Sequence, residues 1–435
     1  MRLSYGVCAL AAFASATAPR CTAQQAGATR TNQDRSTDTL RLSRLQAIAA
    51  ALTGNAQIDA ARQQTREAAA RRVIGNAIPD PQFTAGFDQE TSPFAFSGAP
   101  SRPVTLGLTI PFPDKFRLNN RIGLADIGNS QANLRLQQQT IANQTSATYD
   151  SLLVALLHRQ NLLDAQKLAQ DFLARTKSRF EAGKVAKLDV IQAQVTVAQA
   201  QNDLIANERD LLNAQASLNR TLGRVVGAPI VPTDTLAMPP ALPDSATIET
   251  TALQNRQELK ALQQQQLGQS ATTKLAKEFW IPDFTLGVAK DYSTPGQALF
   301  TTGISMPLPV FYWQHSRGDI ALSQHTEAEL AATYRDTRAQ VTQDVRAAYA
   351  NASTTMRQVA FLQNELVPAA REAYRVSSTS YSLGGSSALE VITARTALLQ
   401  AEAQLADALA AANTARADLD RALGLSTTAT GAVIR

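Results

Sequence analysis

The feature that most constrains this chain is a stretch written twice. Phe180 to Gly223 returns 201 residues later as Tyr381 to Gly424: Gly183 answers to Gly384, Leu188-Asp189-Val190-Ile191 to Leu389-Glu390-Val391-Ile392, and Leu222-Gly223 to Leu423-Gly424. A duplication this regular implies two structurally equivalent halves. Each copy also carries a seven-residue apolar rhythm, Val190, Val197, Leu204, Leu211, Leu218 in one and Val391, Leu398, Leu405, Ala412, Leu419 in the other. Alanines such as Ala193 and Ala394 stand three residues further on. The repeat averages 3.5 residues and specifies left-handed coiled-coil packing, with small seam residues that let helices approach closely.

Length alone would allow two or three domains, but the duplication spans most of the 435 residues and argues for one domain with internal two-fold pseudo-symmetry. Residues 1–23 read as a cleaved secretory signal: a cationic start at Arg2, an apolar run from Tyr5 to Ala18, and Cys21-Thr22-Ala23 as the exit. Both cysteines, Cys8 and Cys21, lie in that segment, so disulfides are not expected in the mature chain. Its lysines and arginines are scattered without a basic block, which argues against a nucleic-acid partner. No later apolar run reaches the ~20 residues of a spanning helix; if the mature protein crosses a membrane, strands must do it.

Residues 24–40 are polar and read as a flexible lead-in, and a helix is expected from Leu40 to about Val73. The first repeat spans 41–223 and contains a strand hairpin at 82–112. There Phe83, Ala85, Phe87 and then Val104, Leu106, Leu108, Ile110 alternate with small or polar residues around a Ser/Pro/Gly-rich loop from Thr91 to Arg102. The second repeat, 246–425, has its hairpin at 283–307, turning at Pro295-Gly296. Of the 24 aromatic residues, 14 fall in the windows 79–120 and 279–313, a concentration resembling the interfacial girdles of membrane barrels. From Arg117 to Phe180 the pattern is helical throughout, about 100 Å of rod at ~1.5 Å per residue. Its counterpart, 316–381, contains Pro368, read as a kink. Between the repeats, residues 224–245 hold five of the eighteen prolines and form an extended strap; 426–435 read as a disordered tail.

Four strands of about ten residues have the length to cross a bilayer, but an open sheet in lipid leaves backbone groups unpaired at several kcal/mol each. Closure requires several chains, and three would supply twelve strands.

The combination of strand hairpin, long helix, Gly-containing tip followed by Leu188-Asp189-Val190 or Leu389-Glu390-Val391, and Ala-rich return helix, all duplicated, resembles the TolC family of outer-membrane efflux ducts. The resemblance covers nearly all of residues 41–425. It implies a mainly α protein with membrane β: a homotrimeric duct with a twelve-stranded barrel in outer-membrane lipid and a long α-helical barrel through the periplasm. It also implies a periplasmic adaptor and an inner-membrane efflux pump as partners, with drugs or metal ions passing to the exterior. The outer-membrane part of a type I protein-secretion machine is the alternative within this architecture.

Carried over residue by residue, the resemblance places Glu390 at an acidic aperture position, Thr393 at the next one, and Tyr381 at a gating tyrosine whose arginine partner is Ser386 here. The tips, Gly183 with Lys184 and Gly384 with Gly385, would meet the adaptor. The family's Asn-Pro-Glu-Leu signature lacks its proline at Asn55-Ala56-Gln57-Ile58 and at Arg256-Gln257-Glu258-Leu259, and the fold is not expected to depend on it. His158, His315 and His325 are the only histidines, and none has a metal-ligand partner at suitable spacing. With no nucleophile, base and acid cluster either, neither an enzyme nor a cofactor is expected.

Overall fold

The computed structural model describes residues 39–86, 103–294, 297–307 and 310–425. The expected signal peptide, nearly all of the lead-in, the loop from Thr91 to Arg102, the Pro295-Gly296 turn and the tail 426–435 lie outside the described residues. The elements run β1 (Leu40–Leu42), α1 (Arg44–Gly54), α2 (Ala56–Gly75), β2 (Gln82–Ala85), β3 (Pro103–Ile110), α3 (Pro113–Glu181) and α4 (Lys187–Leu222). After β4 (Ile230–Pro232) in the strap, the series returns as α5 (Ile248–Asn255), α6 (Gln257–Lys277), β5 (Phe284–Thr294), β6 (Gln297–Ser305), α7 (Tyr312–Phe361), α8 (Val367–Leu383) and α9 (Ala388–Ala422). Among the described residues no helix is long and apolar enough to cross a membrane.

The helix expected from Leu40 to Val73 is in fact two, broken at Asn55. That residue takes an extended backbone, its side chain accepts from the Gln57 amide at 2.9 Å, and its Nδ2 donates to the Thr221 carbonyl. The second repeat breaks likewise at Arg256. These are the two places where the family's proline is missing, so packing on the end of the return helix, with a side-chain cap at Asn55 alone, sets the bend without it. Leu40 already belongs to β1, one residue inside the expected lead-in. It pairs in parallel with Ile230 of the strap, a pairing not foreseen because three-residue strands carry no period.

At 69 residues α3 is the spine. It packs along α4 and α2 of its own repeat and α6 and α9 of the other, so neither half buries its seams alone. The equivalent rod is α7 and α8 joined through a π-turn at Leu362–Leu366, with Pro368 just beyond. The chain passes through without ending, as a kink would. The turn also absorbs an inserted residue: Tyr349 follows Tyr149 by 200 positions, both beside their repeat's core, whereas Tyr381 follows Phe180 by 201.

Two main cores sit where the helices of each repeat converge. One gathers Ile58, Ile141, Tyr149, Leu152 and Leu218; the other holds Leu259, Val341, Ala352 and Leu419, the counterparts of Ile58, Ile141, Leu152 and Leu218. A buried polar knot ties the first to the strap and to the second repeat. Tyr149 donates to the Leu42 carbonyl at 2.9 Å, Arg44 pairs with Asp150 and donates to Asn413, and Asn413 donates to the Ala237 carbonyl. Burial pushes the Asp150 carboxyl up to about 6 against the pull of Arg44, and burial likewise pushes Tyr149 up to about 12.

The strands form one sheet in the order β2-β3-β5-β6, antiparallel at every step. Register puts Phe83, Leu106 and Val288 in one row across it, with Leu108, Leu286 and Ile304 in another. Residues directly opposite share a face, so one face of the sheet is largely apolar, with Thr302 and Lys290 as its polar members. The other carries the rows Thr84, Thr105, Ala289, Thr301 and Gly107, Gly287, Gly303.

Candidate functional site

The two helical tips lie at the end of the rods farthest from the sheet. In each, the reversal is made by a glycine in the left-handed region, Gly183 at φ +70° and Gly384 at φ +89°. The Lys184 amide reaches back to the Arg179 carbonyl and the Gly385 amide to that of Ser380, both at 2.9 Å, closing the same C-terminal motif twice. Lys184 is exposed, and around the tips Leu188, Leu383 and Leu389 are exposed apolar residues, Leu383 at 84 %.

Glu390 stands in the first turn of α9, exposed, where Ser387 caps the helix by accepting from the Glu390 amide at 3.3 Å and donating to its carboxylate at 3.2 Å. Thr393, one turn on, is exposed too, with its hydroxyl turned back to the Leu389 carbonyl. Spacing of three places both on one helix face.

Tyr381 is different: it is only 3 % exposed, packed in a small core with Phe172, Ala193, Ala388 and Val391. Its hydroxyl donates to Thr176 at 3.3 Å, the Phe172 ring lies 5.4 Å away, and Arg179 sits 4.6 Å over its ring while donating to its carbonyl. The structure thus gives Tyr381 an arginine partner, drawn from α3 and not from position 386. Ser386 instead donates to the Ser377 carbonyl at 3.0 Å. Sequence reasoning missed Arg179 because the link joins residues 202 apart in different repeats. It missed Arg395 as well, a buried arginine on α9 that donates to the Ala165 carbonyl at 3.0 Å, and burial pushes the pKa of that guanidinium down. Its repeat mate, Gln194, is exposed, so the duplication carried no signal of a buried charge at this position.

Among the described residues no group of His, Cys, Asp and Glu suits a metal ion. A cavity of about 550 Å³ between α2, α3 and α6 is lined by amides and the Arg71–Asp126 pair, without a nucleophile beside a base.

The profile of the outer membrane efflux protein family matches residues 47–224 and again 250–425, one match per repeat. The pyoverdine export outer membrane protein OpmQ of Pseudomonas putida is 25% identical over 391 residues, covering 83% of this chain and 81% of that one. The cobalt-zinc-cadmium resistance protein CzcC of Cupriavidus metallidurans is 21% identical over 382 residues, 87% of this chain and 89% of its own. Among solved structures, the outer-membrane channel OprN superposes with a TM-score of 0.75 at 18% identity, over 87% of this chain and 89% of that one. The outer membrane protein VceC of Vibrio cholerae superposes at 0.74 and 17%, over 87% and 95%. With both halves matched, and with the helical rods and strand hairpins shared with solved channels of that architecture, the chain belongs to the outer membrane efflux protein family, a family of channels and not of enzymes.

Proposed function

We propose that three copies of this chain form a passive exit duct that takes small solutes from the periplasm to the exterior, working with a periplasmic adaptor and an inner-membrane pump. One observation carries the reading: the sheet exposes its apolar face, with Phe83, Leu106, Phe284, Leu286, Val288 and Ile304 all open to solvent, while the Thr/Gly face is the polar one. That is inverted for a soluble sheet and right for strands with lipid outside and an aqueous lumen within. Among the described residues the edges β2 and β6 are unpaired, which in lipid calls for neighbouring copies and a closed twelve-stranded barrel. Trp280, Phe311 and Trp313, exposed at the foot of the sheet, suit an interfacial belt.

Small-solute efflux is preferred to protein secretion because two relatives are named for pyoverdine export and for metal resistance. The chain would be exported by its N-terminal signal, cleaved near Ala23. Gly183, Lys184, Gly384 and Gly385 would dock the adaptor, and Glu390 with Thr393 would line the periplasmic aperture. Tyr381, buried as it is, would act there as a clamp between α8 and α3. Protein purified from the outer-membrane fraction should have the mass of three chains and open channels in planar bilayers. A stable soluble monomer with its β content intact would overturn the reading.

A further inference from the structure

Among the described residues of one chain, α2, α3, α6 and α7 form a helical wall in that order, each packed on the next, and α2 and α7 are left as its free edges. Because α2 and α6 are repeat mates, as are α3 and α7, the seam α3–α6 joins the end of one repeat unit to the start of the next. A seam between α7 of one copy and α2 of its neighbour would join the same two kinds of surface. The equivalences are fixed independently by packing. Arg72 lies against Gly123, whose added Cβ would fall 2.6 Å from its Cγ, and Thr273 lies against Ser323, its hydroxyl 3.4 Å from that carbonyl. The α2-to-α6 offset is thus 201 and the α3-to-α7 offset 200 at this height, the latter agreeing with Tyr149 and Tyr349.

Three contacts define the internal seam. Ala125 Cβ lies 3.1 Å from the Cβ position of Gly268, Gly128 sits against Gln264, and Gln265 donates to Asn129 at 3.4 Å. Shifted by the two offsets, these become His325 with Glu67, Ala328 with Gln63, and Glu329 with Gln64. All six residues are exposed at the free edges of the single chain. The translated pairs are also chemically matched, an imidazole facing a carboxylate and a carboxylate facing an amide donor. Glu329 has no side-chain partner within its own chain among the described residues, and Glu67 only a 3.9 Å contact to Arg71.

We infer that the α3–α6 seam is the template for the contact between copies, so that His325 and Glu329 of one protomer meet Glu67 and Gln64 of the next. This rests on the trimeric reading and adds its register. The two natural cysteines, Cys8 and Cys21, lie far from the seam in sequence, so engineered pairs can report it. Under mild oxidation, the Glu67→Cys/His325→Cys protein should run as covalent dimers and trimers on a non-reducing gel. Glu67→Cys/Ala332→Cys, displaced by two turns or about 10 Å, should stay monomeric on the gel, as should each single variant. Ala125→Cys/Gly268→Cys should close within one chain and calibrate the geometry, since its Cβ positions lie near disulfide range. Preferential linking of the displaced pair, or none by the matched pair while native mass shows a trimer, would overturn the register. A monomeric mass for the unmodified protein would overturn the trimer itself.

Discussion

Two glycines with nearly the same φ should respond very differently to alanine. Gly183, at the first tip, has φ +70°, and an added Cβ would meet nothing within 4 Å. Gly223, ending α4, has φ +69°, but its Cβ would fall 2.3 Å from the Gly54 carbonyl oxygen and 3.0 Å from its carbon, both backbone atoms that cannot swing aside. The left-handed conformation costs an alanine about 1–2 kcal/mol at either site. At Gly223 the break between α1 and α2 must also move by nearly an ångström. Forced repacking of that kind adds about 1–3 kcal/mol, and the Asn55 bond to the Thr221 carbonyl, worth about 1 kcal/mol, is put at risk. Gly183→Ala should therefore destabilise by about 1–2 kcal/mol and Gly223→Ala by about 3–5 kcal/mol. Guanidinium titration of the detergent-solubilised protein, followed by far-ultraviolet circular dichroism, reads both. The repeat mate Gly424, whose Cβ would lie 2.7 Å from the Asn255 carbonyl carbon, should behave like Gly223. Equal midpoint shifts for Gly183→Ala and Gly223→Ala would refute the steric argument.

The Asp150 carboxyl, with a folded pKa of about 6 against an ordinary value near ~3.9, binds its proton more tightly in the folded state. Its contribution to stability is fully present below the unfolded value and is lost as pH rises through 6. At about 1.4 kcal/mol per unit it amounts to roughly 3 kcal/mol, so Asp150→Asn should flatten the stability profile between pH 4 and 7; an unchanged slope would show that the carboxyl titrates normally. Arg179→Ala should loosen the second tip, raising amide exchange over 376–395 severalfold while leaving α2 and α6 unchanged, because it removes a cation–π contact and a charged donor. Tyr381→Phe, which loses only the Thr176 bond at a cost of about 1 kcal/mol, should do much less. In planar bilayers Glu390→Gln should lower cation selectivity and weaken block by multivalent cations, with Asp189→Asn much milder. A ring of carboxylates at a constriction attracts cations, and unchanged selectivity in an intact trimer would remove Glu390 from the lumen.

What the sequence determined by itself is whatever repeats. The rods, the tips and the return helices follow from a 3.5-residue period held for many turns, and the strands follow from period two between prolines. The duplication makes each half a check on the other, so Gly183 and Gly384 are legible as tips from the sequence alone. Features without a period were decided by tertiary packing. The break at Asn55 depends on a carbonyl 166 residues away, and the parallel pair of β1 and β4 on two segments far apart in the chain. Arg179 reaches Tyr381 only because α3 and α8 end side by side. A motif match could suggest a gate position for Tyr381, but only tertiary packing, which depends on every neighbour at once, buries it against α3 beneath Arg179. The same holds for Asp150, whose raised pKa follows from desolvation at a junction of α1, α3, the strap and α9 that no local pattern encodes.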